Sequence, residues 1–247
     1  VREYQYGDDI RSIDWNVFAR LGHPYIKKFV EERELNVILM VDLSASMRFG
    51  TRGNFKSEIA AEIGALLAFS AIRNNDKVGL LLFSDIIEKF IRPDKGKTHV
   101  LSLIRDVLCF NSHQNKTDLT NALSYLNRVV KKRCVVFVIS DFLFDGYEKM
   151  LKISNKRHDV IPIVLMDVME DNLPDIGYIE MQDAETGDTV LFKAKDLKEK
   201  YQEQRQIFKD KQKSFFQKNN IEEIRLYTNQ DYIAPIIKYF RKRAHKR

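Results

Sequence analysis

The sequence predicts an α/β fold, with a mainly parallel central sheet, one antiparallel edge strand and helices on both faces. Three observations predict it. Apolar runs at 37–41, 78–83, 135–139 and 160–166 are short and bounded by polar residues, as in strands buried on both sides. Between them lie segments whose apolar residues recur three and four apart, as at Ile59, Ile63, Leu66, Leu67 and Ala71, the spacing of a helix packed on one face. The two kinds of segment alternate along the chain, which is the order of a doubly wound sheet.

The elements follow in order. Residues 1–34 form an N-terminal segment ahead of a main domain at 35–247. Within it, 2–9 is polar and turn-like, 11–20 is a short helix with Ile13, Trp15, Val17 and Phe18 as its apolar points, and 25–29 is a strand. This segment is expected to pack on the main domain, with Trp15, the only tryptophan, in its core. The main domain opens with the strand 36–42. A helix over 55–74 follows, with Lys56, Glu58 and Glu62 expected to point outward. Strand 78–83 leads through Ser84-Asp85 into an antiparallel edge strand at 86–91. Helix 99–110, a polar loop at 111–116 and helix 119–130 come next, then strand 134–140, helix 147–154 and strand 160–166, which Asp167 ends. Asp171, Asn172 and Pro174 read as a loop. Glu185-Thr186-Gly187-Asp188 between two short extended runs marks a hairpin insertion at about 177–193. A long charged helix over 196–219, with Leu197, Tyr201, Phe208 and Phe215 inward, precedes a last strand at 223–228 and a last helix at 232–243.

Composition bounds the rest. The 247 residues suit one large domain, and 44% hydrophobic residues can build its core. The net charge of +6 resides largely in the tail 238–247, which reads as a solvated helix end rather than a nucleic-acid patch. Cys109 and Cys134, the only cysteines, lie beside apolar residues and read as buried free thiols, with no disulfide framework or zinc site. No apolar run approaches the ~20 residues of a membrane helix, and no signal peptide is visible, so a cytoplasmic location is expected. Because Val1 is not a start residue, the natural protein is expected to extend further at its N-terminus.

The most informative stretch is 37–47, VILMVDLSASM. An apolar strand ends in one carboxylate and two hydroxyls at alternate positions, Asp42, Ser44 and Ser46. Oxygen donors at the carboxyl end of a central strand suit a hard divalent cation. The competing reading is a solvated Asp at a strand end followed by a serine-rich turn. Two further stretches weigh against that: Lys116-Thr117-Asp118-Leu119 before a helix, and 135–141, a second buried strand ending in Asp141.

Together the three stretches resemble the metal-ion-dependent adhesion site of von Willebrand factor A domains. By that resemblance Asp42, Ser44, Ser46, Thr117 and Asp141 are the metal set, and the fold is the Rossmann-like A-domain fold. A wider pattern is similar to the bacterial domain-of-unknown-function 58 family. It comprises Arg2-x-Tyr4-x-x-Gly7-Asp8-Asp9, Arg11-x-Ile13-Asp14-Trp15, Phe29-x-Glu31-Glu32-Arg33-Glu34, Lys95-Gly96-Lys97-x-His99-Val100, Ser140-Asp141-Phe142, Arg157-His158-Asp159 and Asp183-Ala184-Glu185-Thr186-Gly187. Lys116 stands where A domains commonly have a glycine, which leaves Thr120 as the alternative to Thr117. Phe142 stands where a glycine often follows the aspartate. The resemblance implies a magnesium ion, with manganese or calcium as alternatives. It also implies a protein partner that offers an Asp or Glu side chain, and, from the family's company, a MoxR-type AAA+ ATPase as that partner. The last helix is the element expected to respond to binding.

Two other function classes are weaker. An aspartate-dependent phosphatase would want a second acid two residues after Asp42, where Ser44 stands. No GxSxG, HExxH or glycine-rich phosphate loop is present, and the five histidines have no metal-ligand spacing. Nucleic-acid binding rests on charge alone, with no motif behind it. The expectation is therefore a binding module, with no enzymatic activity, no nucleic-acid partner and no membrane segment in this chain.

Overall fold

A computed structural model describes residues 2–26, 34–51, 55–110, 112, 115–171, 177–182 and 189–244. The chain divides into two compact units, Val1–Glu34 and Leu35–Arg247.

In the first unit, β1 (Arg2–Glu3) pairs antiparallel with β2 (Tyr25–Ile26), and α1 (Trp15–Leu21) lies between them in sequence. Three of its acidic residues serve local structure. Asp8 pairs with Arg2 at 2.6 Å, Asp9 caps a 3-10 turn over Ile10–Ser12, and Asp14 caps α1 by accepting the Asn16 and Val17 amides. Gly22 ends α1 at φ +72°, in the left-handed region that glycine enters without strain. Trp15 does not form the core of this segment. It packs edge-on against Phe18 and stays 60% exposed, while Ile13 and Ile26 are buried. The strand expected at 25–29 is seen at Tyr25–Ile26; its remainder lies outside the described residues.

The second unit holds the sheet. Its strands are β3 (Asn36–Asp42), β4 (Lys77–Phe83), β5 (Ile87–Asp94), β6 (Val135–Ser140), β7 (Asp159–Met166) and β10 (Ile224–Tyr227). They lie in the order β10-β7-β6-β3-β4-β5, all parallel except β5 on the edge. The sequence-based expectation holds strand for strand. Alternation along each strand divides the core between the two faces. Val37, Leu39 and Val41 meet Ile59, Ile63 and Leu67 of α2 (Lys56–Arg73), Val100 and Leu103 of α3 (Lys97–Cys109), and Ile236 of α8 (Ile233–Ala244). Ile38 and Met40 meet Leu119, Leu123 and Leu126 of α4 (Leu119–Val129), Leu151 of α5 (Glu148–Arg157) and Phe216 of α7 (Ala194–Lys218). A four-residue helix, α6 (Val168–Asp171), follows β7 where a loop was expected at Asp171. The hairpin of β8 (Tyr178–Gln182) and β9 (Thr189–Lys193) stands as expected, with its turn outside the described residues.

Three further expectations need correction. Cys109, at the end of α3, is exposed, and only Cys134 is buried. Among the described residues of α7, Gln212 and Phe216 are buried, while Tyr201, Phe208 and Phe215 are half-buried and the side chain of Leu197 lies outside the described residues. Gln212 is tolerated inside because it donates to the Phe142 carbonyl and the Tyr147 hydroxyl and accepts from Arg225. Lys56 points inward, as described below. No helix among the described residues is long and apolar enough to cross a membrane.

Gly79 sits where the β4–β5 register shifts. A Cβ there would come within 2.9 Å of the Ile38 Cδ1, the Ile91 carbonyl oxygen and the Pro93 nitrogen. Two of those atoms are backbone and cannot move aside. Gly79→Ala is therefore expected to lower unfolding free energy by about 1–3 kcal/mol or more, read by urea denaturation. An unchanged midpoint would mean that the edge strand shifts freely.

Candidate metal site

The parallel register pairs Val41 with Ile139, so Asp42 and Ser140 end adjacent strands side by side. The Ser140 hydroxyl donates to Asp42 Oδ2 at 2.6 Å, and the Ser44 amide donates to Oδ1 at 2.9 Å. The chain then enters a 3-10 turn, Ala45–Arg48, capped by Ser44 without a side-chain hydrogen bond. The Ser44 hydroxyl is thus not spent on the backbone and lies 3.1 Å from that of Ser46. Asp42 and Ser44 are fully buried, which rules out a solvated strand-end Asp.

Thr117 arrives from a separate loop. The Ala45 amide donates to the Asn115 carbonyl at 3.1 Å, and the Asp118 amide donates to the Ser84 carbonyl at 2.9 Å. These two bonds hold the loop between the 3-10 turn and the end of β4. The Thr117 hydroxyl is buried there with no hydrogen-bond partner among the described residues. Thr120, the alternative, turns its hydroxyl to the Gly146 carbonyl at 3.2 Å.

Asp141 follows β6 and faces α2. Its Oδ2 accepts from the ammonium of Lys56 at 3.0 Å and its Oδ1 from the Leu143 amide at 3.2 Å. Lys56 is fully buried, contrary to the expectation from its charge. Its place on α2 explains this: it precedes Ile59, Ile63 and Leu67 by three, seven and eleven residues, on the stripe that meets the sheet. The same ammonium pairs with Glu170 of α6. Burial opposes its charge, but Asp141 and Glu170 outweigh that and hold the Lys56 ammonium above its ordinary pKa. Ser140, Lys56 and Glu170 were not singled out from the sequence. Matching the apolar run 37–41 to 135–139 in parallel register would have placed Ser140 beside Asp42, and the helical spacing puts Lys56 on the apolar stripe of α2, though it does not show the carboxylates that let it be buried.

The electrostatics single out Asp42. Burial and the nearby Asp141 charge push its carboxyl up to about 7, against the hydrogen bonds from Ser140 and Ser44. Those donors are neutral, and among the described residues no cation is bonded to Asp42. Among the described residues no three His, Cys, Asp or Glu side chains cluster as a metal site. What stands at the carboxyl edge of the sheet is two carboxylates and three hydroxyls, an oxygen-only donor set suited to a hard cation. The lone Thr117 hydroxyl and the uncompensated Asp42 both fit such an ion. A cleft of about 530 Å³ opens beside Asp42 and Ser44, bordered by Met47, Arg48, Glu58, Leu108 and Phe110.

Phe142 adopts φ +52°, in the left-handed region. Glycine enters that region without strain and Phe does not, but the Phe142 ring is fully buried and packs on Phe144, Tyr147 and Phe216.

Residues 1–211 match the family described as "Protein of unknown function DUF58". An uncharacterized protein of Mycobacterium tuberculosis is 32% identical over 189 residues, covering 75% of this chain and 60% of that protein. An uncharacterized protein of Mycobacterium bovis matches to the same extent. The match thus spans about 60% of the length of these curated relatives. Among solved structures, the conserved hypothetical protein BatB from Bacteroides thetaiotaomicron superimposes with a TM-score of 0.54 at 16% identity, over 86% of this chain and 98% of that one. An aerotolerance-related membrane protein from Bacteroides fragilis gives 0.54 at 17% identity, over 86% of this chain and 100% of that one. At these identities the likeness is one of fold.

Proposed function

The chain belongs to the DUF58 family of proteins of unknown function, and from that membership and its carboxyl-edge oxygens we propose that it is a metal-dependent protein-interaction module. The observation that carries this reading is the buried Thr117 hydroxyl, without a partner among the described residues, in the loop held against the 3-10 turn that follows Asp42. Ser44, Ser46 and Thr117 would hold the ion with neutral oxygens, and Asp42 would contribute the charge that Ser140 orients. A bound magnesium ion, or manganese or calcium in its place, supplies a Lewis-acidic position that a partner's Asp or Glu carboxylate can fill. Neutral ligands leave the charge for that carboxylate to complete. The cleft beside Asp42 would take the partner's neighbouring side chains.

Turnover is not part of the reading. The Cys134 thiol lies 3.2 Å from His158 Nδ1, but burial pushes the thiol up to about 12, so it stays protonated and non-nucleophilic. A MoxR-type AAA+ ATPase is proposed as the partner on the family resemblance, and the cytoplasm as the place where an ATP-driven partner would be met.

The test is capture of the purified ATPase by this protein in magnesium and in EDTA. Binding is expected in magnesium only, and a Lys substitution of one acidic residue on the ATPase should abolish it. Equal capture in EDTA would overturn the metal-mediated reading. Proton and cation compete for Asp42, so magnesium affinity is expected to fall about tenfold per pH unit below about 7. Calorimetric titration at a series of pH values checks this, and a flat profile would remove Asp42 from the ligand set.

A further inference from the structure

We propose that Lys56 sets how tightly this site takes a divalent cation, by holding the Asp141 carboxylate with a resident positive charge. The inference rests on the cation-site reading above and concerns which of the chain's own groups governs it.

The geometry is specific. The Lys56 ammonium is fully buried and contacts two carboxylates, Asp141 Oδ2 at 3.0 Å and Glu170 Oε1. The Phe49 ring lies 5.8 Å from it. Asp141 gives its other oxygen to the Leu143 amide, so both of its oxygens already serve protein donors. Glu170 is fixed as well. Its Oε2 accepts from the Asp167 amide at 3.0 Å, and its carbonyl accepts from the Tyr201 hydroxyl at 2.8 Å and Arg205 Nε at 3.0 Å. Lys56 is thus fully buried between two fixed partners.

A buried cation beside two carboxylates has a stated consequence for a second cation. It neutralises part of the charge that would attract the ion, and it occupies the oxygen that Asp141 could otherwise give. The site then takes a free divalent ion weakly and leaves it short of negative charge. That is the condition under which an incoming carboxylate adds most. Lys56 is in this sense a positioning residue: it acts on the ion through Asp141.

The test uses manganese alone, titrated calorimetrically and by its paramagnetic signal. Removing the repulsion of a buried unit charge, Lys56→Gln is expected to bind manganese about tenfold or more tightly than the unaltered protein. Glu170→Gln, which leaves Lys56 to Asp141 alone, should bind it more weakly. Lys116→Gln removes an exposed charge next to Thr117 and should change affinity by no more than about twofold, because solvent screens it. Opposite signs for Lys56→Gln and Glu170→Gln are the mark of the proposal. A merely structural lysine would weaken binding when removed, since Asp141 would lose its anchor. Because Lys56→Gln strands buried carboxylates, the double variant Lys56→Met/Glu170→Gln is compared with Glu170→Gln alone. The two differ only at Lys56, and the double variant should bind manganese more tightly. Equal or weaker binding there overturns the inference, as does a Lys116→Gln gain as large as that of Lys56→Gln. If the unaltered protein binds no manganese and Asp42→Ala changes nothing, the cation-site reading fails and this inference falls with it.

Discussion

Asp42→Asn is expected to make the metal-free protein more stable while abolishing its response to magnesium. The folded chain holds the Asp42 proton up to about 7, whereas an unfolded Asp releases it near about 4. Between those values the folded state binds more protons, so metal-free stability falls as pH rises through the window. Above about 7 the full penalty of the buried charge is present, on the order of 2–4 kcal/mol. An amide removes that penalty. It also keeps the shape, with its oxygen able to accept from the Ser44 amide and its nitrogen able to donate to Ser140. The variant's stability should therefore exceed the unaltered protein's at mildly alkaline pH and lose this part of the pH dependence. Magnesium should raise the melting temperature of the unaltered protein and leave the variant's unchanged. Urea denaturation across pH, with and without magnesium, checks both halves. A variant less stable at alkaline pH would mean that Asp42 is structurally compensated and not held in reserve for a cation.

Phe142→Ala should be the most destabilising single change near the site, by about 3–5 kcal/mol. The ring is fully buried on Phe144, Tyr147 and Phe216, and its removal opens a cavity that three aromatic neighbours cannot fill. The comparison with Phe142→Gly is sharper. Glycine normally costs more than alanine because the unfolded chain gains freedom. At φ +52° alanine keeps the left-handed strain of about 1 kcal/mol and glycine does not. The two variants should thus be equally stable, or the glycine variant more so, in denaturant titration. A glycine variant clearly less stable than the alanine one would show that the backbone relaxes out of the left-handed region once the ring is gone. Both variants should weaken magnesium binding, since Asp141 directly precedes the loosened residue.

Much of this protein was legible from its residues alone. The strands were readable because each apolar run is bounded by polar residues, and their parallel order followed from the helices between them. Asp42, Ser44 and Ser46 were readable as a group because they alternate past one strand end, so local geometry keeps them together. Ile59, Ile63 and Leu67 gave the buried face of α2 by period alone. Contacts across the sheet were not legible in the same way. Lys56 and Asp141 are 85 residues apart, and whether a lysine on an apolar stripe is buried depends on whether carboxylates arrive to compensate it. That depends on how the ends of β6 and α6 come to lie against α2, which no local pattern encodes. Ser140 orients Asp42 only because β3 and β6 are neighbours in a particular register. Thr117 reaches the edge through two backbone bonds to other elements. Cys109 has apolar neighbours in sequence and Trp15 is itself a large apolar side chain, yet both remain exposed, because burial is decided by what packs over a side chain. The sequence thus determined the elements and the donor types. The tertiary structure decided which charges meet, because compensation of a buried charge acts through space over a few ångström.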